Sequence, residues 1–590
     1  MELLGLEISA WMLLSVIAMV LFYLYATWPF STFRNLGIPG PAPWPLAGNF
    51  IQMSTGLQYK EMEWYKKYGK VFGIYEGRQP VLEVVDPEMC KQICVKHFTS
   101  FYNRRRFPLE SKPFNHALTA LVNQHWKNKR NTLTPAFSGA KMRFMTPIVN
   151  NAADTMIRIL GKHSKEGKPV QCKEVFGGYV IDSIGSAGFG VDVNSQEQPD
   201  HPFVKHVKEA FVFDFFNPVL LAVFLFPFVS PILNWLNIGL IPQRIINYFV
   251  NLTETTVEMR KKHDPSEKRV DFLQQMLDAR EVYDQYVKEN EADEDENGVQ
   301  LVRDGKSDTH DFHKGFTNDE LLAQSLTFFV AGYETTSTMM NFLAYSMATN
   351  PDVQEKLCAE IDDVMANYDE VTYDAVSKMP YLDMVVCETL RMYPPVIRFD
   401  RECNEDVTIA GIHIPKGMPV AVAAYAIHHD PKIYPEPEKF IPERFTKEEK
   451  EKRHPYAWLP FGAGPRNCIG MRFVLLEAKI GLVRIFQRFT FEPCAETEIP
   501  QKLGKAGILT PPNGVKLNVK ARKRYIYICR CKKTLPNFTA YKRFVNSIQK
   551  TEYHIALRKD KIFAHNKKWR IYSTNIHQDP STTDIHNNDV

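Results

Sequence analysis

The first strong pattern in the chain is an apolar run near its start. Residues 8–28 read ISAWMLLSVIAMVLFYLYATW, and no charged side chain lies between Glu7 and Arg34. At about 1.5 Å per residue, a helix of this length crosses the roughly 30 Å of a bilayer core. A cleaved signal peptide is the alternative, but it would need a basic amino-terminal region and a shorter apolar stretch. We therefore predict a transmembrane anchor over residues 8–28, and the basic residues after it place the body on the cytosolic side.

Three patterns follow the anchor and predict different local structures. Residues 29–45 are rich in proline and predict a stiff linker. Residues 70–88 alternate short apolar runs with Gly and Pro, which is typical of a small β region. Residues 211–242 are rich in Phe, Leu, Ile and Pro, and they indicate either a pair of buried helices or an apolar lid that touches the membrane. Helical patterns dominate elsewhere, so the fold class is mainly α with small β-sheets (α+β).

One predicted helix is apolar on nearly every face. The sequence Thr317-Asn-Asp-Glu320 is a capping box, and the helix it opens can continue to Asn350, where a proline ends it. An apolar helix of this length belongs in a core. At its centre, Gly332 costs about 1 kcal/mol relative to Ala, so we expect another group to approach closely there. The charged residues 281–315 before it predict a solvated loop.

The composition of the chain restricts the classes of protein to which it can belong. The chain has 590 residues, of which 44% are hydrophobic, so it can bury a large core. Basic residues concentrate in residues 521–590, which hold 15 basic and 5 acidic side chains, so nothing points to a nucleic-acid-binding body. The ten cysteines are scattered, which favours reduced thiols in a cytosolic setting. The zinc-peptidase, phosphate-loop and dinucleotide-binding motifs are missing.

The candidate chemistry lies in the loop Phe461–Gly470, FGAGPRNCIG, which a helical pattern follows at once. Cys468 is thereby placed at a helix N-terminus, where free amide groups favour a thiolate. The glycines of the loop let the backbone lie flat against a planar ligand, and Arg466 can reach an anionic group at the edge of that ligand. The pattern FxxGxRxCxG would arise by chance on the order of once in ten thousand such chains.

This loop resembles the signature of the cytochrome P-450 superfamily. Three further signatures occur in the order of the family: Trp126 with Arg130, AGYETT at 331–336, and ETLR at 388–391. Finer features, such as LGIPGP, KKYGKV and PFGAGPRNCIGMRF, resemble the vertebrate family 3, subfamily A. The resemblance implies the cytochrome P-450 fold, with haem b between a long central helix and the helix after the cysteine loop. It gives a catalytic domain over residues 46–520, and residues 521–590 are then a disordered extension or an artefact of the gene model.

The resemblance also implies a role for individual residues. Cys468 is the axial ligand of the haem iron, Thr335 and Glu334 deliver protons, and Glu388, Arg391 and Arg444 form a buried structural network, although an i, i+3 pair alone would usually lie at the surface. Cofactor contacts carried over are Arg105, Trp126, Arg130, Ala331, Arg401, Phe461, Gly462, Arg466 and Gly470. Substrate-pocket candidates carried over are Arg106, Thr119, Phe213, Phe215, Thr327, Val330, Ala331, Val396 and Ile508. Lys127 and Lys129 could face an acidic redox partner.

The expected activity is a haem-thiolate monooxygenase of the endoplasmic reticulum membrane. It would insert one oxygen atom from O2 into bulky lipophilic substrates such as steroids, xenobiotics and drugs. Electrons would come from NADPH through the flavoprotein cytochrome P-450 reductase, with cytochrome b5 as a further partner, and with membrane lipid but no nucleic acid bound. Two alternatives remain: a haem-thiolate isomerase resembling thromboxane synthase, which Thr335 argues against, and a non-catalytic haem or lipid binder.

Overall fold

The computed structural model defines the fold over most of the chain. It describes residues 2–3, 6–7, 10–106, 109, 112–210, 217–236, 238–239, 241–262, 271–281, 315–505, 507–522, 525–527, 554–556 and 572–574.

Helices dominate the described part. In chain order they are α1 (Ala10–Thr27), α2 (Thr32–Asn35), α3 (Phe50–Met53), α4 (Leu57–Tyr68), α5 (Pro87–Lys91), α6 (Asn123–Leu133), α7 (Gly139–Glu166), α8 (Cys172–Ile184), α9 (Pro202–Ala210), α10 (Pro218–Leu225), α11 (Ser230–Trp235), α12 (Gln243–Lys261), α13 (272–281), α14 (Asn318–Thr349), α15 (Pro351–Met365), α16 (Tyr373–Val376), α17 (Pro380–Met392), α18 (Ala424–His428), α19 (Lys447–Lys452) and α20 (Met471–Phe486).

The strands are short. They are β1 (Glu2–Leu3), β2 (Leu6–Glu7), β3 (Val71–Glu76), β4 (Gln79–Val84), β5 (Val170–Gln171), β6 (Phe399–Glu402), β7 (Val407–Ile409), β8 (Ile412–Ile414), β9 (Pro419–Val422), β10 (Phe489–Pro493), β11 (Lys516–Ala521), β12 (Tyr525–Tyr527), β13 (His554–Ala556) and β14 (Tyr572–Thr574). The sheets have the orders β3-β4-β9-β6, β10-β11-β5, β13-β12-β14, β1-β2 and β7-β8. The predicted fold class, mainly α with small sheets, is confirmed.

The four-stranded sheet brings β6 to the middle of the molecule. β3 and β4 form the antiparallel hairpin expected for residues 70–88, and β9 runs parallel to β4. β6 lies antiparallel to β9 at the far edge. Apolar side chains of this sheet form one core, and apolar side chains of the helices around α14 form a second.

The long helix α14 begins and ends as the sequence predicts. The Thr317 hydroxyl accepts from the Glu320 backbone N–H at 3.2 Å, and the Glu320 carboxylate accepts from the Thr317 N–H at 2.8 Å. The helix ends at Thr349, and Pro351 opens α15. A methyl group added at Gly332 would lie 2.6 Å from the Ile184 side chain, so this glycine allows α8 and α14 to pack closely.

The amino-terminal helix stands apart from the body. Among the described residues, 10–35 form one helical stretch that is long and apolar enough to cross a membrane, and 6% of its apolar window is buried. The side chains of α1 are nearly all exposed. This stretch is a candidate membrane span, as predicted.

The apolar residues 211–242 divide into two parts. α10 buries Leu220, Val223 and Phe224, whereas Ile232 and Trp235 of α11 are exposed. The burial of α10 therefore agrees with the prediction of buried helices, and the exposure of α11 agrees with the prediction of an apolar lid.

The catalytic body extends slightly beyond residue 520. Ala521 is the last residue of β11 and pairs with Phe489. Arg522 is buried and binds both oxygens of Asp362, with Nη2 to Oδ2 at 2.6 Å and Nη1 to Oδ1 at 3.2 Å. These two residues of the predicted extension thus belong to the packed fold.

Candidate active site

A cavity of about 500 Å³ lies between α14, β6 and the loop before α20. Its surface is mainly apolar, and Cys468 lies on one side of it. Thirteen of the residues predicted from the sequence line it: Thr119, Trp126, Arg130, Thr327, Ala331, Thr335, Val396, Arg401, Phe461, Gly462, Arg466, Cys468 and Gly470. Segments that are far apart in the sequence therefore meet at one site, as the family resemblance implies.

The cysteine loop is held by its own backbone and by the helix behind it. The Cys468 N–H donates to the Phe461 carbonyl at 2.9 Å, which closes the loop just before α20 begins at Met471. Gly464 has a φ of +71°, and a methyl group there would lie 2.0 Å from the Cys94 carbonyl oxygen. This glycine is thus needed for packing against Cys94, a reason different from the predicted contact with a planar ligand.

Opposing influences act on the charge of the Cys468 sulfur. Burial raises the pKa of the Cys468 thiol, while hydrogen bonds from the Gly470 and Met471 N–H groups and the charges of Arg104 and Arg130 oppose this rise. The N–H groups at the helix start thus act in the predicted direction, against burial, and a metal ion at the sulfur would favour the thiolate further, since metal binding and thiol deprotonation are coupled.

Four buried or half-buried guanidinium groups lie along one edge of the cavity, and they bind neutral oxygens. Arg130 donates to the Asn467 carbonyl at 2.9 Å and to its side-chain oxygen at 3.0 Å, and Arg401 donates to the Ala463 carbonyl at 3.2 Å. The other two are Arg466, whose guanidinium lies 4.5 Å from the Trp126 ring, and Arg104. Within the described ranges, none of the four forms an ion pair with a carboxylate.

These buried cations lower one another's pKa, and among the described residues none of the four forms an ion pair with a carboxylate. Burial, together with the charges of Arg104 and Arg401, lowers the pKa of Arg466 to about 8. Burial and the charge of Arg401 lower the pKa of Arg104 to about 10. The Nε atoms of Arg401 and Arg466 are buried and have no hydrogen-bond partner. Such an edge fits a ligand that carries more than one negative charge.

Arg104, rather than Arg105, lines the cavity. Arg105 points toward the sheet, where its Nη1 lies 2.6 Å from Glu76 and its Nε 3.4 Å from Asp400. Arg106 is exposed. The sequence contains three consecutive arginines, and nothing in it indicates which side chain faces the cavity. The sequence analysis therefore named Arg105 and Arg106 and missed Arg104.

The central helix places its two predicted proton-handling residues on different sides. Thr335 lines the cavity, and its hydroxyl donates to the Ala331 carbonyl at 2.7 Å. Glu334 is buried away from the cavity and binds Lys173 at 2.9 Å. Only Thr335 is therefore placed to hold a proton at the cavity surface.

The network of Glu388, Arg391 and Arg444 is buried, and it reaches the cysteine loop. Arg391 binds both carboxylate oxygens of Glu388, at 2.7 and 3.0 Å, and Arg444 Nε lies 3.3 Å from the same carboxylate. Arg391 also donates to the His428 carbonyl at 2.9 Å. The His428 imidazole in turn accepts from the Leu459 N–H at 2.7 Å, two residues before the loop starts. Sequence reasoning missed His428, since a single histidine carries no pattern.

The remaining pocket candidates separate into two groups. Val330 packs in the helical core and Ile508 bridges the backbone of Val396, so neither lines the cavity. Phe213 and Phe215 lie outside the described residues. Four phenylalanines that were not predicted form part of the wall: Phe137, Phe189, Phe272 and Phe328. At helical spacing, apolar residues that line a cavity look the same as core residues.

The sequence analysis suggested that Lys129 could face a partner protein, but the side chain points into the fold. It is buried, and its Nζ lies 2.8 Å from Glu320 in the capping box of α14. His125 binds the other oxygen of the same carboxylate at 2.5 Å. These contacts tie α6, which carries Trp126 and Arg130, to the start of α14.

The residues of the cavity fit a haem group. An apolar space with a sulfur on one side suits a planar apolar ring with a metal at its centre, and uncompensated guanidinium groups at one edge suit its two carboxylates.

Comparison with known proteins agrees with this geometry. A family model described as Cytochrome P-450 matches residues 38–519. Cytochrome P-450 3A29 of Sus scrofa is 42% identical over 520 residues, which is 88% of this chain and 98% of that protein. Cytochrome P-450 3A5 of Homo sapiens is 43% identical over 520 residues, with the same shares, and cytochrome P-450 3A13 of Mus musculus is 42% identical over 518 residues, 88% and 97%. The chain therefore belongs to the cytochrome P-450 family, which implies a haem cofactor and supports a haem-thiolate monooxygenase.

Proposed function

We propose that the chain is a membrane-anchored monooxygenase that inserts one oxygen atom from O2 into bulky lipophilic compounds such as steroids and drugs. Electrons come from NADPH through cytochrome P-450 reductase, and cytochrome b5 is a further partner. The observation that carries the proposal is the position of Cys468 beside an apolar cavity whose edge holds four guanidinium groups that form no ion pair with a carboxylate in the described part of the chain. The relatives named cytochrome P-450 3A support the monooxygenase class.

Each part of the site has a proposed task. The Cys468 sulfur would bind the haem iron, and the N–H groups of Gly470 and Met471 would stabilise its negative charge. Arg104, Arg130, Arg401 and Arg466 hold the two carboxylates of the haem. When bound, the haem supplies the activation of O2 and the transfer of one oxygen atom.

The cavity walls position the substrate and a proton. Phenylalanine side chains exclude water and orient an apolar molecule by contact rather than by hydrogen bonds. The Thr335 hydroxyl gives its hydrogen to the Ala331 carbonyl, so its oxygen is free to accept from a water molecule in the cavity. Thr335 therefore holds a proton source at the cavity surface.

The anchor places this site next to a lipid phase. We propose the endoplasmic reticulum membrane, with α1 crossing it once and the catalytic domain on the cytosolic side. The apolar side chains exposed on α11 would contact the same membrane. Lipophilic substrates dissolve in this phase, so the cavity would draw them from the membrane. The proposed domains are the anchor at 8–28, the linker at 29–45 and a catalytic domain from 46 to Arg522.

The direct test combines one variant with one assay. Cys468→Ser should lose the carbon monoxide difference spectrum that a thiolate-ligated ferrous haem gives, while Cys494→Ser, a half-buried thiol far from the cavity, should keep it. The unaltered protein, given NADPH, reductase and a panel of steroids and drugs, should yield products heavier by one oxygen atom. An unchanged spectrum in Cys468→Ser, or NADPH-independent rearrangement of a peroxide as the sole activity, would contradict the proposal.

A further inference from the structure

A fifth guanidinium group lines the cavity, and its surroundings differ from those of the other four. Arg398 lies just before β6 and is held by carboxylates from three other elements. Its Nη1 donates to Glu83 of β4, and its Nη2 donates to Glu76 at the end of β3. Glu61 of α4 lies 3.8 Å from the same Nη1. The positive charge of Arg398 is thus surrounded on the side away from the cavity.

The carboxylates of this cluster outnumber its cations. Glu76 also binds Arg105 at 2.6 Å, and Arg105 lies 3.4 Å from Asp400, which itself lines the cavity. The cluster therefore holds four acidic groups, Glu61, Glu76, Glu83 and Asp400, against the two arginines Arg105 and Arg398. Glu61 and Glu83 are both fully buried, and Glu76 is 1% exposed.

The buried carboxyls cannot all be charged. Both oxygens of Glu61 and one of Glu83 accept no hydrogen bond. Burial raises the pKa of Glu61 to about 7 against the opposing charge of Arg398, and burial with the charge of Glu61 raises the pKa of Glu83. Glu83 accepts directly from Arg398, whereas Glu61 lies 3.8 Å from it, so both carboxyls oppose the positive charge of Arg398 at the cavity wall.

We propose that Glu61 and Glu83, acting through Arg398, are specificity-determining residues that prevent this wall of the cavity from binding anionic ligands. The inference rests on the proposed function, because it takes the cavity to be the substrate site. Each terminal nitrogen of Arg398 already donates to a carboxylate, Nη1 to Glu83 and Nη2 to Glu76, so a ligand carboxylate or sulfate must compete with these buried groups and meets their negative charge. Neutral compounds and protonated amines meet no such penalty. The same wall without Glu61 and Glu83 would be an anion site.

The test compares ligands that share one carbon skeleton and differ in charge. The haem-containing full chain is titrated at pH 7.4 with 1-pyrenebutyrate, its neutral primary amide and 1-pyrenebutylamine, and binding is read from the quenching of pyrene fluorescence. In the double variant Glu61→Gln with Glu83→Gln, the Kd of the carboxylate relative to the amide should fall about tenfold. The Kd of the amine relative to the amide should rise, and binding of the amide itself should stay within about twofold.

A matched control separates the cluster from surface charge. Glu63→Gln removes an exposed carboxylate from the same helix as Glu61, where it pairs with Lys60 at 2.7 Å, and it should leave all three affinities unchanged. Should the double variant lose its haem, Glu83→Gln alone carries the same comparison, with an expected change of about threefold.

Two outcomes overturn the ideas separately. If the ratio of carboxylate to amide affinity in the folded variant equals that of the unaltered protein, Glu61 and Glu83 do not set the charge preference, and the inference is wrong. If none of the three ligands binds the unaltered protein, the proposed substrate cavity fails first, and the inference fails with it.

Discussion

Two groups of buried arginines in this molecule differ in how their positive charges are balanced. Arg391 is fully buried and receives both oxygens of Glu388, which Arg444 also contacts. Arg401 and Arg466 are almost as deeply buried, yet each binds a backbone carbonyl and keeps an Nε atom without a partner. A buried charge is costly unless it is paired. The protein supplies the counter-charge of the first group, whereas the second group fits an anionic ligand.

The largest effect is expected where the protein itself supplies the counter-charge. Glu388→Gln leaves Arg391 buried without an anion and should lower the free energy of unfolding by about 3–5 kcal/mol. Urea unfolding of the protein with and without haem measures this loss, and it should be similar in both forms. The control Glu443→Gln removes a half-exposed partner of Lys356 and should change stability by less than about 1 kcal/mol. A small loss in Glu388→Gln would show that the network is not structural.

The opposite result is expected at the ligand-facing edge. Arg466→Met removes an unbalanced buried charge and keeps a flexible side chain over Trp126. The haem-free protein should therefore lose no stability and gain up to about 1 kcal/mol. Haem should dissociate about tenfold faster, which transfer to apomyoglobin measures. A loss of stability as large as that of Glu388→Gln would remove the distinction between the two groups.

A smaller effect on haem dissociation should distinguish Arg104 from its neighbour Arg105. Arg104→Ala should speed haem dissociation several-fold, by about 1 kcal/mol, because Arg104 lines the cavity edge. Arg105→Ala should not, since Arg105 binds Glu76 and Asp400 instead. Equal rates in the two variants would show that the run of three arginines acts only through its total charge.

The last expected effect is a pH dependence of stability from two histidines, His428 and His429, that lie near Arg391. Burial, with the nearby charge of Arg391, lowers the pKa of His429 to about 3, and burial also lowers the pKa of His428. Both are neutral in the fold, so their stabilising contribution is complete above the unfolded value of about 6.5 and is lost as pH falls toward the folded values. Between pH 7.5 and 5.5, stability should drop by about 1 kcal/mol for each histidine. His429→Asn should remove part of this slope, and an unchanged slope would assign it to other groups.

Local signals predicted the framework of the site well. The capping box at Thr317, the helix end at Asn350 and the helix start after Cys468 depend on residues close together in the sequence, and the structure places all three as expected. The buried network of Glu388, Arg391 and Arg444 was implied by the family resemblance, because an i, i+3 pair alone would usually lie at the surface.

The rest depends on contacts between distant residues. Arg104 and Arg105 are neighbours in the sequence, but their side chains point in different directions. The direction of Arg105 is set by its ion pairs with Glu76 and Asp400 on the sheet. Lys129 looks like a surface lysine until Glu320, in a distant helix, is placed beside it. The family resemblance implied that Glu334 acts beside Thr335, but adjacent residues on a helix point about 100° apart, and Glu334 binds Lys173 instead.

The contact between Arg522 and Asp362 has a practical consequence for protein production. A shortened chain that stops at Lys520, where the family resemblance ends, would delete the guanidinium that both oxygens of Asp362 bind and the last strand residue of β11. Ending the chain after Arg522 keeps both. The choice between these two stop codons, only two residues apart, should decide the yield of folded enzyme more than the length of the removed tail does.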